Sequence, residues 1–352
     1  MRKLLIIILF FSCVDNSNTQ GIKPLNIIIL IGDGMGLPQI TGGTYANNNE
    51  SELENFKNIG LIKTFAKDDL ITDSAASGTA FACGVKTYNG TIGIDYKGKE
   101  HTSILEICQK TGYSTGIIVT SEITHATPAS YYAKVQSRDN HEEIANQLSS
   151  KNINFFVGGG KKYFVDRKDK RNLLNEMRDY DFVSNIKEYD KSKSSKIGFL
   201  TYDDAPPSLP EGRIPSLDKL TKLTIEKLKN GSKPFFLVIE GSQIDWACHD
   251  HDIDYFVEEF KEFDKTIKTV MDFAKKDKNT LVVVTADHET GGFHILGGRI
   301  LKENSYIKGD FLTTGHSGDM VPIFSYGPYS ENFSGIYDNT EIFKKLNEIV
   351  KK

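Results

Sequence analysis

The sequence predicts an α/β fold in which a mainly parallel central sheet carries helices on both faces and a few surface insertions, all within one domain over 26–352. Three observations predict it. The strand-like runs are mostly unbroken in apolar residues, helical patterns alternate with them, and polar clusters follow the apolar runs. The runs are "NIIILI" (26–31), "STGIIVT" (114–120), "PFFLVIE" (234–240), "TLVVVT" (280–285) and "VPIFSYG" (321–327). Continuous rather than alternating apolarity is what burial on both faces of a sheet demands. Between them, "SILEICQKTG" (103–112), "SLDKLTKLTIEKLKNG" (216–231) and "DYFVEEFKEFDKTIKTVMDFAKK" (254–276) have helical periodicity. Such alternation is the pattern of strands linked by crossover helices.

The chain has 352 residues, enough for one large α/β unit,. "MRKLLIIILFFSC" joins two basic residues to an apolar run over 4–11, the pattern of an export signal over 1–12 and too short to cross a bilayer,. Cys13 follows Ser12 and precedes a polar tether (13–25), so the new N-terminus is either lipidated at Cys13 or made by cleavage nearby. The expected location is the periplasm or the cell surface. Losing Arg2 and Lys3 with the leader would take the formal charge from -4 to -6. With no sustained basic run beyond the leader, nucleic acid is not an expected partner. Cys83, Cys108 and Cys248 are widely spaced, form no C-x-x-C pair and read as small buried side chains,. The span 161–215 reads as an insertion: a lysine-rich surface excursion, then the Pro-rich connection "APPSLPEGRIP".

Polar residues crowd behind the apolar runs: "GDGMG", "SEITHATPAS", "GSQIDWACHDH" and "ADHETGG". In an open parallel sheet the C-terminal strand ends share one edge, and ligands bind in the crevice there. Asp33, Asp245, His249, Asp287, His288 and His316 are oxygen and imidazole donors, a mixture suited to zinc,. Asp245 and His249, four apart, share a helix face. Each cluster also has a plainer reading as a glycine turn, a helix start or an exposed loop. In "TDSAASGT", Ser74 is either a helix cap or a nucleophile.

The ordered segments "IGDGMG", "TDSAASGTAFACGVKTYNGTIG", "THATP", "SRD", "IEGSQID", "TADHETGG" and "TGHSGD" resemble the alkaline phosphatase family over about 26–328. The resemblance implies that Ser74 is a nucleophile that becomes a phosphoserine, and that Arg138 grips two phosphate oxygens, oriented by Asp73. It assigns Asp245, His249 and His316 to a first zinc (Zn2+), and Asp287, His288 and Asp33 to a second, with Ser74 completing its ligands. A third ion, usually magnesium (Mg2+), would bridge Asp33, Thr127 and Glu240. The implied partners are phosphate monoesters and a second copy of the chain in a homodimer.

His125 stands where an aspartate is common in the family and Trp246 where a lysine is common, which suggests a subgroup with an altered third site. His125 is then a packing or supporting residue or a direct ligand, and Trp246 a wall. The family's crown insertion is reduced to about 294–313. Two other readings stand beside the monoesterase: a phosphodiesterase of the same superfamily, and an exported metal- or phosphate-binding protein without turnover. Diesterases often use threonine as nucleophile, and a binder would be expected to lose Ser74 or Arg138. Both are present.

Overall fold

The structure, a computed structural model, describes residues 25–351; the leader, Cys13 and all of the tether but Leu25 lie outside the described residues. Its strands are β1 (Asn26–Gly32), β2 (Asn58–Lys63), β3 (Ser114–Glu122), β4 (Phe155–Gly159), β5 (Asp181–Phe182), β6 (Ile197–Leu200), β7 (Phe235–Gly241) and β8 (Thr280–Thr285), followed by β9 (Glu289–Thr290), β10 (Phe293–Arg299), β11 (Tyr306–Phe311), β12 (His316–Ser317), β13 (Val321–Tyr326) and β14 (Gly335–Asp338). Ten of them form one sheet in the order β14-β2-β13-β8-β1-β7-β3-β4-β6-β5. Only β13 runs against its neighbours.

The five apolar runs form strands, all five adjacent in the order β13-β8-β1-β7-β3 at the middle of the sheet. Every residue of β1, β7 and β8 is buried. Ile27 pairs with Phe236 and Leu281, and Ile31 with Glu240 and Thr285, so the ends of the central strands lie side by side. That register sets the functional residues next to one another.

Amphipathic helices cover the faces. The helix Ile253–Asp277 is capped by Asp252, whose side chain accepts from the Tyr255 amide, and it buries Phe256, Phe260, Phe263, Ile267, Val270, Met271 and Ala274. This recurrence at three- and four-residue steps is one apolar stripe. The helix ends where Lys278 adopts a left-handed backbone, φ 58°,.

Part of the span expected to be an insertion extends the sheet: β6 pairs onto β4, and β5 pairs onto β6 at the edge. Their few apolar residues are flanked by lysines and serines, which hides the pattern in the sequence. The span 294–313, expected to be a short insertion, falls largely in the antiparallel hairpin β10–β11. Cys83, Cys108 and Cys248 are buried and free. No helix among the described residues is long and apolar enough to cross a membrane.

The Pro-rich connection returns to the core through a buried ion cluster. Arg213 donates to Glu259 at 2.9 and 2.5 Å and to Glu262 at 2.6 Å, and the Leu209 and Leu217 amides donate to the same two carboxylates. All three charged side chains are less than a tenth exposed. Removing the cation would leave two buried carboxylates without compensation. Arg213→Met is therefore expected to lower the unfolding free energy by about 3–5 kcal/mol in chemical denaturation. A loss within about 0.5 kcal/mol, the range of an ordinary surface change, would contradict the cluster's role as a clamp.

Candidate active site

The segments that follow β1, β3, β7 and β8 converge on one crevice. After β1, Gly34 turns the chain with φ +70°, and a Cβ there would lie 2.6 Å from Thr290 Oγ1 and 2.9 Å from the Asp245 Cα. Glycine thus permits Asp33 to sit against the β7 and β8 loops. Asp33, Glu240, Asp287 and His288 are wholly buried, and Asp245 nearly so.

Ser74 opens the helix Ser74–Cys83, a ten-residue helix whose free N–H groups favour an anion,. The cap is the preceding residue: Asp73 Oδ1 accepts from the Ala76 amide at 2.9 Å. Of the two readings of Ser74, the structure gives the capping to Asp73, and the Ser74 hydroxyl is directed at His288 Nε2, 3.3 Å away. The second Asp73 oxygen accepts from Arg138 Nη1 at 3.0 Å and from the Gly90 amide at 2.9 Å. One carboxylate therefore fixes both the serine helix and the arginine.

Three imidazoles present the same nitrogen to the crevice. His249 Nδ1 donates to the Thr314 carbonyl at 2.5 Å and His316 Nδ1 to the Thr72 carbonyl at 2.7 Å. Thr290 Oγ1 donates to Asp245 Oδ1, so it accepts from His288 Nδ1 at 3.2 Å. With each Nδ1 hydrogen-bonded outward, each Nε2 faces inward, the nitrogen that would ligate a metal. His249 Nε2 and His316 Nε2 lie 3.2 Å apart and 3.3 and 3.6 Å from Asp245 Oδ1. His288 Nε2 lies 3.2 Å from Asp287 Oδ2 and 3.5 Å from Asp33 Oδ1.

Divalent cations fit this arrangement on two grounds. Three donor groups have ligand atoms within 4.8 Å of one another: Asp245, His288 and His316; Asp33, Asp287 and His288; and Asp33, His125 and Glu240. Both oxygens of Asp33 and of Glu240, Asp287 Oδ2 and the Thr127 hydroxyl are buried with no hydrogen-bond partner. A folded protein rarely leaves so many oxygens orphaned together unless an ion satisfies them. Thr127 stands beside Glu240. Cys248 takes no part; its thiol faces Gln39.

The electrostatics show the same need. Burial, then repulsion from Asp287, Asp245 and Glu240, pushes Asp33 well above the usual carboxylate range. Burial takes Asp287 up to about 6 and Glu240 up to about 7, with repulsion adding to each. Burial would raise Asp245 too, but the His249 hydrogen bond and the facing His288 and His316 hold it low.

His125 and Trp246 stand at the edge of the crevice. His125 Nε2 accepts from Arg138 Nη2 at 3.2 Å, and burial with the arginine's charge pushes it down to about 3, so it is neutral. Its ring meets Trp246 edge-on, 5.8 Å between centroids. The crevice thus gathers every residue singled out from the sequence and adds four that were not: Thr290, Asn89, Thr72 and Thr314. Thr290 falls within "TADHETGG", but its role depends on two bonds that spacing does not reveal. Asn89 Oδ1 accepts from the Asp73 amide at 2.9 Å.

Fold and crevice together define an α/β protein whose crevice is built to hold divalent cations beside a serine and an arginine. The sequence model of the family described as alkaline phosphatase matches residues 24–310. Alkaline phosphatase 4 of Bacillus subtilis is 36% identical across 93% of this chain and 88% of its own, and the Escherichia coli alkaline phosphatase 30% across 90% and 84%. The solved alkaline phosphatase of the Antarctic bacterium TAB5 is 41% identical, with a TM-score of 0.87 over 94% of this chain and 98% of its own. A histidine-to-aspartate mutant of that enzyme has been solved with magnesium bound in its M3 site. The chain belongs to the alkaline phosphatase family.

Metal-free protein should feel the crowded carboxylates through pH. Asp287 and Glu240 bind protons more tightly folded than unfolded, so their contribution to stability is whole below 3.8 and 4.5 and is lost as the pH rises through about 6 and 7,. His249, raised from 6.5 to about 9 by its bond to Asp245, loses its contribution over that interval,. Asp245 acts oppositely, its contribution fading only as the pH falls below the usual carboxylate range,. The rise in Tm when chelated protein is loaded with zinc and magnesium is expected to be larger at about pH 8 than at about pH 5. An equal or smaller rise at the higher pH would contradict this.

Proposed function

We infer that this enzyme hydrolyses phosphate monoesters through a phosphoserine on Ser74. The observation that carries the reading is the pairing of Ser74 at a helix N-terminus with Arg138 through the single carboxylate of Asp73. A phosphate on the serine would meet helix amides and a guanidinium already held in place.

Two zinc ions, one held by Asp245, His249 and His316 and one by Asp33, Asp287 and His288, with magnesium held by Asp33, Thr127 and Glu240, would supply the positive charge that makes the Ser74 oxygen nucleophilic and offsets that of the phosphate. Magnesium in the M3 site of the TAB5 mutant supports the third of these. Ser74 Oγ attacks phosphorus, the bond from phosphorus to the alcohol oxygen breaks, and the alcohol departs with a proton. Water then cleaves the Ser74 Oγ–phosphorus bond and inorganic phosphate is released. Throughout, Arg138 offers planar donors to phosphate oxygens, its orientation fixed by Asp73 on one nitrogen and His125 on another,. Thr290 keeps the His288 proton on Nδ1, away from the serine.

We extend the proposal to an exported homodimer. The leader over 1–12, with Cys13 as the lipidated residue or cleavage nearby, supports export to the periplasm or cell surface. Exposed Leu296, Ile300 and Tyr306 on the hairpin β10–β11, and Leu37 and Tyr45 on the helix packed against it, supply apolar surface for a second copy,.

Nitrophenyl phosphate and its bis(nitrophenyl) diester separate the readings. The metal-loaded enzyme is expected to prefer the monoester, to lose activity on chelation, to lose phosphoserine labelling in Ser74→Ala, and to lose about 10²–10³ in kcat/KM in Arg138→Ala. Diester preference would move the enzyme to the phosphodiesterases of the superfamily. Turnover of neither ester would leave the binding-protein reading.

A further inference from the structure

The face opposite the crevice carries charge of the other sign. β1, β3, β4, β6 and β7 begin there, and three adjoining cavities of about 630, 270 and 230 Å³ run along their first residues. β1 reaches from Asn26 on this face to Gly32 beside the crevice, about 20 Å at the usual rise of a strand,. Seven lysines line the cavities against two carboxylates, Glu106 and Asp277. The excess is local, because the chain as a whole has 43 basic and 47 acidic side chains.

Both carboxylates are already engaged. Glu106 accepts from Lys151 at 2.6 Å and pairs with Lys134 at 3.2 Å, and Asp277 accepts from Thr280 at 2.6 Å and from Asn26 at 3.2 Å. Lys196 pairs with Asp179, and Lys227 donates to the Asp190 and Ser192 carbonyls. Lys110, Lys193, Lys229 and Lys233 are exposed and form no ion pair among the described residues. Lys110 and Lys229 complement the carbonyl ends of their own helices,. Lys193 and Lys233 lie beyond the last helical turn, where that use fades,. Lysines this far apart in the chain make no run, so the patch exists only once the strands are side by side.

The chain enters the domain on the same face. Asn26 lines one of the cavities with Lys229 and Lys233, and its amide donates to the Asn279 carbonyl at the end of the long helix, next to exposed Lys275, Lys276 and Lys278. Residues 13–24 precede Leu25 and can span at most about 40 Å,. A lipid on Cys13 would therefore keep these lysines within a short tether of the headgroups, and anionic headgroups attract lysines held near them.

We propose that the lysine face docks on the anionic leaflet that holds the Cys13 lipid, so that the crevice faces away from the membrane and stays open to soluble substrate. The proposal rests on lipidation of Cys13. Its test uses the metal-loaded mature chain, residues 13–352, with Cys13→Ala so that no lipid contributes. This protein is expected to sediment with vesicles of about one-third phosphatidylglycerol in phosphatidylcholine and not with phosphatidylcholine alone, and to be released as salt rises from about 0.05 M to about 0.5 M. Lys110→Gln, Lys193→Gln, Lys229→Gln and Lys233→Gln combined are expected to weaken vesicle binding about tenfold or more. The kcat/KM for nitrophenyl phosphate is expected to stay unchanged in that variant and in vesicle-bound wild type. No preference for anionic vesicles, or a preference that survives the four substitutions, would overturn the lysine face. Loss of turnover on vesicle binding would overturn the orientation. Mass spectrometry of the exported protein with no lipid on Cys13 would overturn the anchor on which the proposal rests, whatever the vesicles show.

Discussion

The structure is organised around mutual repulsion among carboxylates taken out of water. Asp33, Glu240, Asp245 and Asp287 share one buried crevice, and no lysine pairs with any of them among the described residues. Burying one such charge costs several kcal/mol after relaxation, and crowding raises that cost. Protonation can relieve the strain, which is the direction taken by Asp33, Asp287 and Glu240; divalent cations relieve it without giving up the charge. The inward-facing Nε2 atoms of His249, His288 and His316 are arranged for the second solution.

A crevice with so unfavourable a charge balance needs a frame that will not relax. The central strands supply it, with Ile27 to Ile31 and their partners on β7 and β8 packed without solvent contact. Around that frame a few side chains have two tasks each. Asp73 caps the serine helix and orients the arginine; Thr290 links Asp245 to His288; Gln243 ties the end of β3 to the Pro-rich connection and the long helix. Bonds that cross from one loop to another hold the crevice open against collapse. Loop residues can therefore carry chemistry as if they belonged to a rigid element.

Much of this was legible in the sequence because the central strands are buried on both faces. Continuous runs such as "NIIILI" and "TLVVVT" admit little else, and the polar residues behind them had to share an edge,. The edge strands were less visible. β5 has two residues and β6 four, embedded in lysines and serines, so neither apolar run nor alternation announces them. The Asp and His donors were legible by type at successive strand ends, whereas Glu240 and Thr127 came only through the family resemblance. The orientations and supports of these side chains were not legible. Thr72 and Thr314 act through backbone carbonyls that any residue would supply, and Arg213 reads as one charge in a Pro-rich loop until Glu259 and Glu262 are brought against it.

The central claim is that the crevice is completed by cations among its orphaned oxygens and inward-facing imidazoles. Its most direct test is X-ray diffraction from crystals of active, zinc- and magnesium-loaded enzyme, with anomalous maps on both sides of the zinc absorption edge. The account predicts two zinc peaks, one among Asp245, His249 and His316 and one among Asp33, Asp287 and His288, and density for a lighter ion beside Thr127 and Glu240. Active crystals with no metal density in the crevice would contradict it.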